Sequence, residues 1–343
     1  MHYRQLGTTG LRVSELCLGA MTFGRGFHNI GVLGQKQVDE LVRVALDAGV
    51  DFFDTADMYS TGQSEEMLGK ALKTAGIKRE SVVIATKVRG AMSPEAAEGT
   101  GDVNNLGLSR KHVTEACDAS LRRLGVDYLD LYQIHGFDPR TPLEETLAAL
   151  NDLVRRGKVV YIGCSNLPVR HIAKSLAISK HHGWAAFVSL QAYYSLVARD
   201  LEHELLPLCR EEGLGVLPWS PLSGGYLSGK YLHGNPEVGR RNEFDFPPVS
   251  PQASEALVAL EQVAKDRDAT MARVALAWLR QQPGVTSVIL GARSVEQLHD
   301  NLQSADLELS ADEMERLAAA TQPRKLYPQW MMEFQTGGPR PQS

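Results

Sequence analysis

Short apolar runs alternate with longer amphipathic segments along nearly the whole chain. Runs at 15–18, 51–54, 82–87, 128–135, 159–165, 186–191, 215–218 and 288–290 have the length of strands. Helical spacing of apolar residues follows them in turn at 35–48, 64–74, 109–124, 142–156, 168–182, 201–212, 254–267 and 294–304. Alternation of this kind predicts a parallel sheet. Eight strand–helix units in a chain this long fit a closed (β/α)8 barrel better than an open sheet. Residues 4–14, with Thr8-Thr9-Gly10 at their centre, predict a hairpin ahead of the barrel. Residues 310–321 predict one extra helix, and the aromatic tail beginning Leu326-Tyr327-Pro328-Gln329-Trp330 is expected to fold back over a rim.

Local signals support the helices. Ser64-Glu65-Glu66 reads as a cap with two acids in a first turn. Ser109 and Ser294 read as caps, and Gln297 stands three residues after Ser294 as in a capping box. Pro142 and Pro168 lie near helix starts, and Gly49, Gly125, Gly157 and Gly213 follow helix ends. No Pro/Gly/Ser-rich linker divides the chain, so residues 1–343 read as one domain, with a core at about 15–305 and a helix and tail at 306–343.

Hydrophobic residues make up 43% of the 343 and charged residues 22%, with a formal net charge of -5. That describes a soluble globular chain without the basic block that nucleic acid or an anionic membrane needs. The start of the chain lacks a secretory signal pattern, and no run reaches the ~18 apolar residues of a membrane span. Cys17, Cys117, Cys164 and Cys209 form no metal-type or CxxC spacing, and reduced thiols in the cytoplasm are expected.

Candidate chemistry concentrates at strand ends. Asp54, Lys87 and His135 each close an apolar run, and Tyr59 follows the first of these. In a barrel, all four converge on the C-terminal mouth, where barrel active sites lie. Adjacent parallel strands are ~5 Å apart, so an Asp54–Lys87 ion pair can span the gap. A lysine ammonium beside Tyr59 is expected to lower its pKa from ~10 and suit it to give a proton to a carbonyl. His135 would orient that carbonyl or join a proton relay. Taken singly, each residue could be an ordinary salt-bridge partner or a satisfied polar group.

The stretch Phe52-Phe53-Asp54-Thr55-Ala56-Asp57-Met58-Tyr59 with Gly62 and Ser64-Glu65 resembles the aldo-keto reductase signature. Lys87, Leu131-Tyr132-Gln133-Ile134-His135 and Gly163-Cys164-Ser165-Asn166 extend the resemblance, which runs from about residue 3 to 317. It implies a barrel that binds NADP(H), or less often NAD(H), without a Rossmann domain. It implies Tyr59 as acid/base, Lys87 as its tuner, Asp54 as the partner of Lys87, and His135 as carbonyl orienter. Ser165, Asn166 and Gln191 match positions that hold the nicotinamide carboxamide, and Trp219 matches the aromatic that stacks on its ring. Gly19, Met21 and Asp54 are implied to face the cofactor. Ser220, Pro221, Leu222, Gly224 and Lys230 match the loop over the pyrophosphate. Gly291, Arg293, Gln297 and Asn301 match the adenosine end. Arg293 before a helix start suits an extra phosphate, which favours NADP(H). Some branches of the family have a second arginine where Gln297 stands.

Competing motifs are weaker. No GxGxxG or GxSxG occurs, and the G-x-x-x-x-G-K at 224–230 is followed by Tyr231, which cannot replace the Mg²⁺-binding hydroxyl of a P-loop. His28, His181, His182 and His203 lack metal-type spacing. The expected activity is therefore reduction of aldehydes or ketones to alcohols, reversibly, with a small carbonyl or alcohol substrate. The alternative is a barrel of this family that senses cofactor within a channel or regulatory complex and turns over slowly. The sequence selects neither substrate nor oligomeric state. Trp330, Met331, Met332 and Phe334 either line a pocket or cover apolar surface.

Overall fold

The computed structural model describes residues 1–27, 30–232, 241, 244–249 and 253–336. Strands β1 (Tyr3–Gln5) and β2 (Arg12–Ser14) pair antiparallel as the expected hairpin. The apolar runs form β3 (Leu16–Gly19), β4 (Phe52–Asp54), β5 (Val83–Val88), β6 (Leu129–Ile134), β7 (Val159–Ser165), β8 (Phe187–Tyr193), β9 (Gly215–Trp219) and β10 (Val288–Leu290). They lie in the order β10-β3-β4-β5-β6-β7-β8-β9, all parallel. A bridge from Val216 to Val285 brings the two edges together, so the sheet closes as a (β/α)8 barrel.

Two apolar layers hold it. Outward residues such as Phe53, Ile84, Val88, Tyr132, Ile134 and Cys164 pack under the surrounding helices. Inward residues alternate with them, as the two-residue period of a strand requires. Cys17, Phe52, Val83, Ala85, Leu131, Leu217 and Ile289 fill the lower interior together with Leu6 and Val13 of the hairpin region. The hairpin thus plugs the N-terminal end, with Leu6 and Val13 fully buried. Going up the same inward rows, the residue type changes: Phe52 gives way to Asp54, Ala85 to Lys87, and Leu131 to Gln133. The barrel is oily at its base and polar at its mouth.

The structure corrects three expectations. Between β9 and β10 the described residues include the α-helices Ala253–Asp266 and Met271–Arg280. The second was not expected, because it follows the first directly and breaks the alternation of one helix per strand; its residues from Val274 to Arg280 are all buried. Thr270 caps it, and its last residue, Arg280, is held by Glu15 at 3.1 Å and Glu308 at 2.6 Å. Ser64 is not a cap: the helix Gln63–Thr74 starts after left-handed Gly62, and Ser64 is buried, bonding the Ala20 carbonyl at 2.7 Å. Third, the tail helix Gln329–Thr336 docks through Gln329 on His203 but leaves Tyr327, Trp330, Met332 and Phe334 exposed. Ser109 and Ser294 cap their helices as expected. The Gln297 side chain reaches back to the Arg293 N–H rather than to that of Ser294.

Removing Leu6 as a plug tests the lower core. Leu6→Ala should cost about 2–5 kcal/mol in urea unfolding, while the mouth chemistry of the folded fraction stays unchanged.

Candidate active site

Tyr59 is placed by an unusual turn. After β4, Thr55 and Asp57 donate their N–H groups to the carbonyls of Ala85 and Lys87, which ties this segment to β5. Ser60 (φ 48°), Thr61 (φ 53°) and Gly62 (φ 88°) then follow in left-handed conformation. Two such non-glycine residues cost on the order of 1–2 kcal/mol each, so packing must hold them. Ser60 donates to the Phe23 carbonyl at 3.0 Å. A Cβ at Gly24 or Gly31 would come within 2.7 Å or 2.6 Å of its side chain, so both glycines make room for it. The turn aims a buried Tyr59 into the mouth, 5.6 Å from the His135 ring and 5.2 Å from Phe27 between centroids.

Below it lies a closed polar network. Lys87 Nζ donates to Asp54 Oδ2 at 2.5 Å and to the Thr55 carbonyl at 2.7 Å, with the Tyr59 hydroxyl at 3.5 Å. Asp54 Oδ1 accepts from Gln133 at 3.1 Å and from Gln191 at 2.9 Å. Gln133 had no role in the sequence reading; its signal was an amide at an inward strand position two residues before His135. Gly163 leaves it space, since a Cβ there would stand 3.2 Å from Gln133 and 2.5 Å from the Ser189 hydroxyl. Beneath the turn, Glu65 is fully buried and bonds Thr86 and Arg123 at 2.6 Å each.

Burial governs protonation here. It opposes the charge of Lys87, but Asp54 and Tyr59 outweigh it and raise the ammonium above its ordinary value. Tyr59 departs from expectation. Burial raises its pKa, Lys87 lowers it, Asp54 raises it again, and the sum lies above 10.0. The lysine does act on the phenol in the expected sense, but desolvation of a phenolate is the larger effect. Tyr59 is thus a protonated phenol. Burial, Lys87 and Arg89 hold His135 well below the imidazole range, so its ring is neutral. Its Nδ1 is buried without a hydrogen-bond partner. Asp57 is pushed well above the carboxylate range by burial and by Glu65.

The other candidate residues fall into two groups. Gly19, Ser165, Gln191 and Trp219 end or approach the ends of β3, β7, β8 and β9 at the same mouth, with Met21 half-buried beside them. Asn166, in left-handed conformation, bonds Ser165, the His135 carbonyl and the Trp219 indole. Trp219 lies parallel to Tyr193 and Phe246, at 4.9 Å and 5.9 Å between centroids. Ser220, Ser223, Gly224 and Gly225 turn left-handed around buried Pro221 and half-buried Leu222, and Gly224 N–H bonds Ser220 Oγ. Gly291 directly follows β10; of the others, Lys230 and Gln297 are exposed, Arg293 half-buried and Asn301 buried. His28 lies outside the described residues. Among those described, no cluster of three metal-ligating side chains occurs, and no helix is long and apolar enough to cross a membrane.

Residues 15–322 match the model of the Aldo/keto reductase family. The chain belongs to that family. It is 34% identical over 350 residues to versiconal hemiacetal acetate reductase of Aspergillus parasiticus, covering 96% of this chain and 99% of that protein. It is 37% identical over 338 residues to the aldo-keto reductase AMT2 of Alternaria alternata, covering 92% and 90%. A rice protein (Oryza sativa subsp. japonica) named a probable voltage-gated potassium channel subunit beta is 35% identical over 318 residues, covering 90% and 92%.

The neutral His135 gives a pH signature. Its folded-state pKa lies below the ~6.5 of a free imidazole, so protons bind the unfolded chain preferentially. Its contribution is therefore complete above about pH 6.5 and is lost as pH falls toward the folded-state value. Urea unfolding at about pH 7.5 and about pH 5 should show a smaller loss in His135→Gln than in the wild type. An equal loss in both counts against a neutral buried ring.

Proposed function

We propose that the chain is an NADP(H)-dependent reductase of aldehydes or ketones, acting reversibly. The observation that carries this is the buried Lys87–Asp54 pair with a protonated Tyr59 directed at the mouth beside a neutral His135. Such an acid is arranged to protonate an oxygen, and a neutral imidazole N–H can hold that oxygen in place.

The residues present suit a nicotinamide cofactor. Gln191 Nε2 is engaged by Asp54 and Gln133, which leaves its carbonyl oxygen to accept from a carboxamide. Ser165 accepts from Asn166 and retains a proton to donate. The left-handed residues Ser220, Ser223, Gly224 and Gly225 fold a tight turn whose N–H groups at 223, 224 and 225 are engaged internally, so a pyrophosphate beside it would lean on the exposed Lys230 ammonium. Arg293 precedes the Ser294-capped helix Val295–Leu302, where cation and helix dipole both suit a phosphate. When bound, the reduced nicotinamide supplies the hydride. Tyr59 gives the substrate oxygen its proton, Lys87 steadies the phenol oxygen as that proton leaves, and Asp54 holds Lys87. The second reading, a cofactor-sensing subunit, has the rice relative's name in its favour. Tight NADPH binding with negligible turnover of any carbonyl would select it.

Tyr59→Phe should lower kcat for aldehyde reduction by roughly 10²- to 10⁴-fold while NADPH binding persists. Wild-type turnover in this variant would sink the assignment. Arg293→Ala should raise KM for NADPH roughly 10- to 100-fold and leave KM for NADH nearly unchanged. Equal effects on both cofactors would remove the phosphate contact.

A further inference from the structure

We propose that Arg89 selects carbonyl substrates that carry a carboxylate, an inference that rests on the reductase reading above. The inward residues of β5 are Val83, Ala85 and Lys87, and those of β6 include Leu131 and Gln133. Lys87 stands opposite Gln133, and Val88 opposite Ile134. The His135 N–H continues this ladder to the Val88 carbonyl at 2.9 Å. Arg89 follows β5 directly, two residues after Lys87, and its charge is felt by the His135 ring.

The side chain is laid across the mouth. A Cβ on Gly136 would stand 3.6 Å from Arg89 Cδ, 3.7 Å from its Nε and 4.0 Å from Asn166 Cβ. The stem therefore passes Gly136 and Asn166, which follow the ends of β6 and β7. Its Nε donates to the Phe137 carbonyl at 2.8 Å, which fixes the plane of the fork. Among the described residues that is the side chain's only hydrogen bond, and the residue is exposed. Asp138, the acid that senses its charge, is engaged by the N–H groups of Leu108 and Arg140 and the Thr141 hydroxyl. Among the described residues the two terminal nitrogens of Arg89 make no hydrogen bond.

Backbone geometry argues that this side chain has a use. Arg89 has φ 141°, a conformation that glycine adopts far more readily. The tie to the neighbouring loop runs through the Arg89 carbonyl, which accepts from Gly107 at 2.9 Å, and any residue could make it. Strain at a position whose side chain holds nothing else together points to a ligand. A fork with two free N–H donors matches the two oxygens of a carboxylate. An aromatic acid whose carboxylate is held one benzene ring from its carbonyl is a suitable probe of that fork.

The test compares 4-carboxybenzaldehyde with its neutral methyl ester, methyl 4-formylbenzoate, using NADPH. Wild type should prefer the acid, and the preference should shrink as salt rises. Arg89→Met should lower kcat/KM for the acid at least roughly 10-fold, mostly through KM, and leave the ester within about twofold. Arg89→Lys should restore part of the difference. Arg89→Gly relieves the backbone, so it should melt no lower than wild type yet lose the preference. Equal losses on both substrates, or no loss on either, overturn the assignment. A wild type that reduces the ester but shows no preference overturns Arg89 alone. A wild type that reduces neither aldehyde removes the reductase reading and Arg89's role with it.

Discussion

The ion pair between Lys87 and Asp54 is the constraint around which this barrel is organised. Burying two charges costs several kcal/mol per ion even after relaxation, and only good geometry with full hydrogen bonding offsets it. Both conditions are met. The three protons of Lys87 are directed at Asp54, the Thr55 carbonyl and the Tyr59 hydroxyl. Asp54 takes Lys87 on one oxygen and the amides of Gln133 and Gln191 on the other. Those side chains come from β4, β5, β6 and β8, which a single hairpin or an open pair of strands could not bring together. Closure of the sheet and satisfaction of the pair are one requirement.

From that pair follow the protonation states above it. Desolvation works on every group at the mouth and always against charge. It leaves Lys87 charged because Asp54 compensates, and it leaves Tyr59 a phenol and His135 an uncharged ring. A proton donor beside a neutral hydrogen-bond donor is what an oxygen gaining negative charge needs. The same effect keeps Asp57 from reinforcing the negative charge of Asp54 and Glu65. The left-handed turn at Ser60 and Thr61 is tolerable because Gly24, Gly31 and the Phe23 carbonyl enclose it.

The order of strands and helices and the four strand-end residues could be read from the chain, because period and position encode them directly. The hairpin was legible from its turn residues. What escaped the reading depends on surroundings. Met271–Arg280 is amphipathic, with Arg273 and Arg280 on one face, but it directly follows another helix, outside the alternation of one helix per strand. Ser64 has the residue type of a cap, yet left-handed Gly62 starts its helix one residue earlier and turns the hydroxyl inward. The direction of the Tyr59 shift needed the burial of the ring, which competes with Lys87 and exceeds it. Gln133 and Arg89 were hidden because their meaning lies in cross-strand register rather than in a motif.

That register separates two tasks. Lys87 and Gln133 occupy one inward layer, and Arg89 and His135 lie just past the ends of β5 and β6 beyond it. The lower layer is closed on itself, with each donor matched and the charges paired, so a substitution there disturbs fold and chemistry together. The level above is more open: Arg89 and Trp219 each make one side-chain hydrogen bond, Trp219 adds ring contacts, and Asn166, though it bonds Ser165, the His135 carbonyl and Trp219, is exposed. Changes at that level can alter what is admitted without unpairing a buried charge. One scaffold can therefore keep its proton donor fixed while the residues two steps further along each strand change the molecule that donor meets.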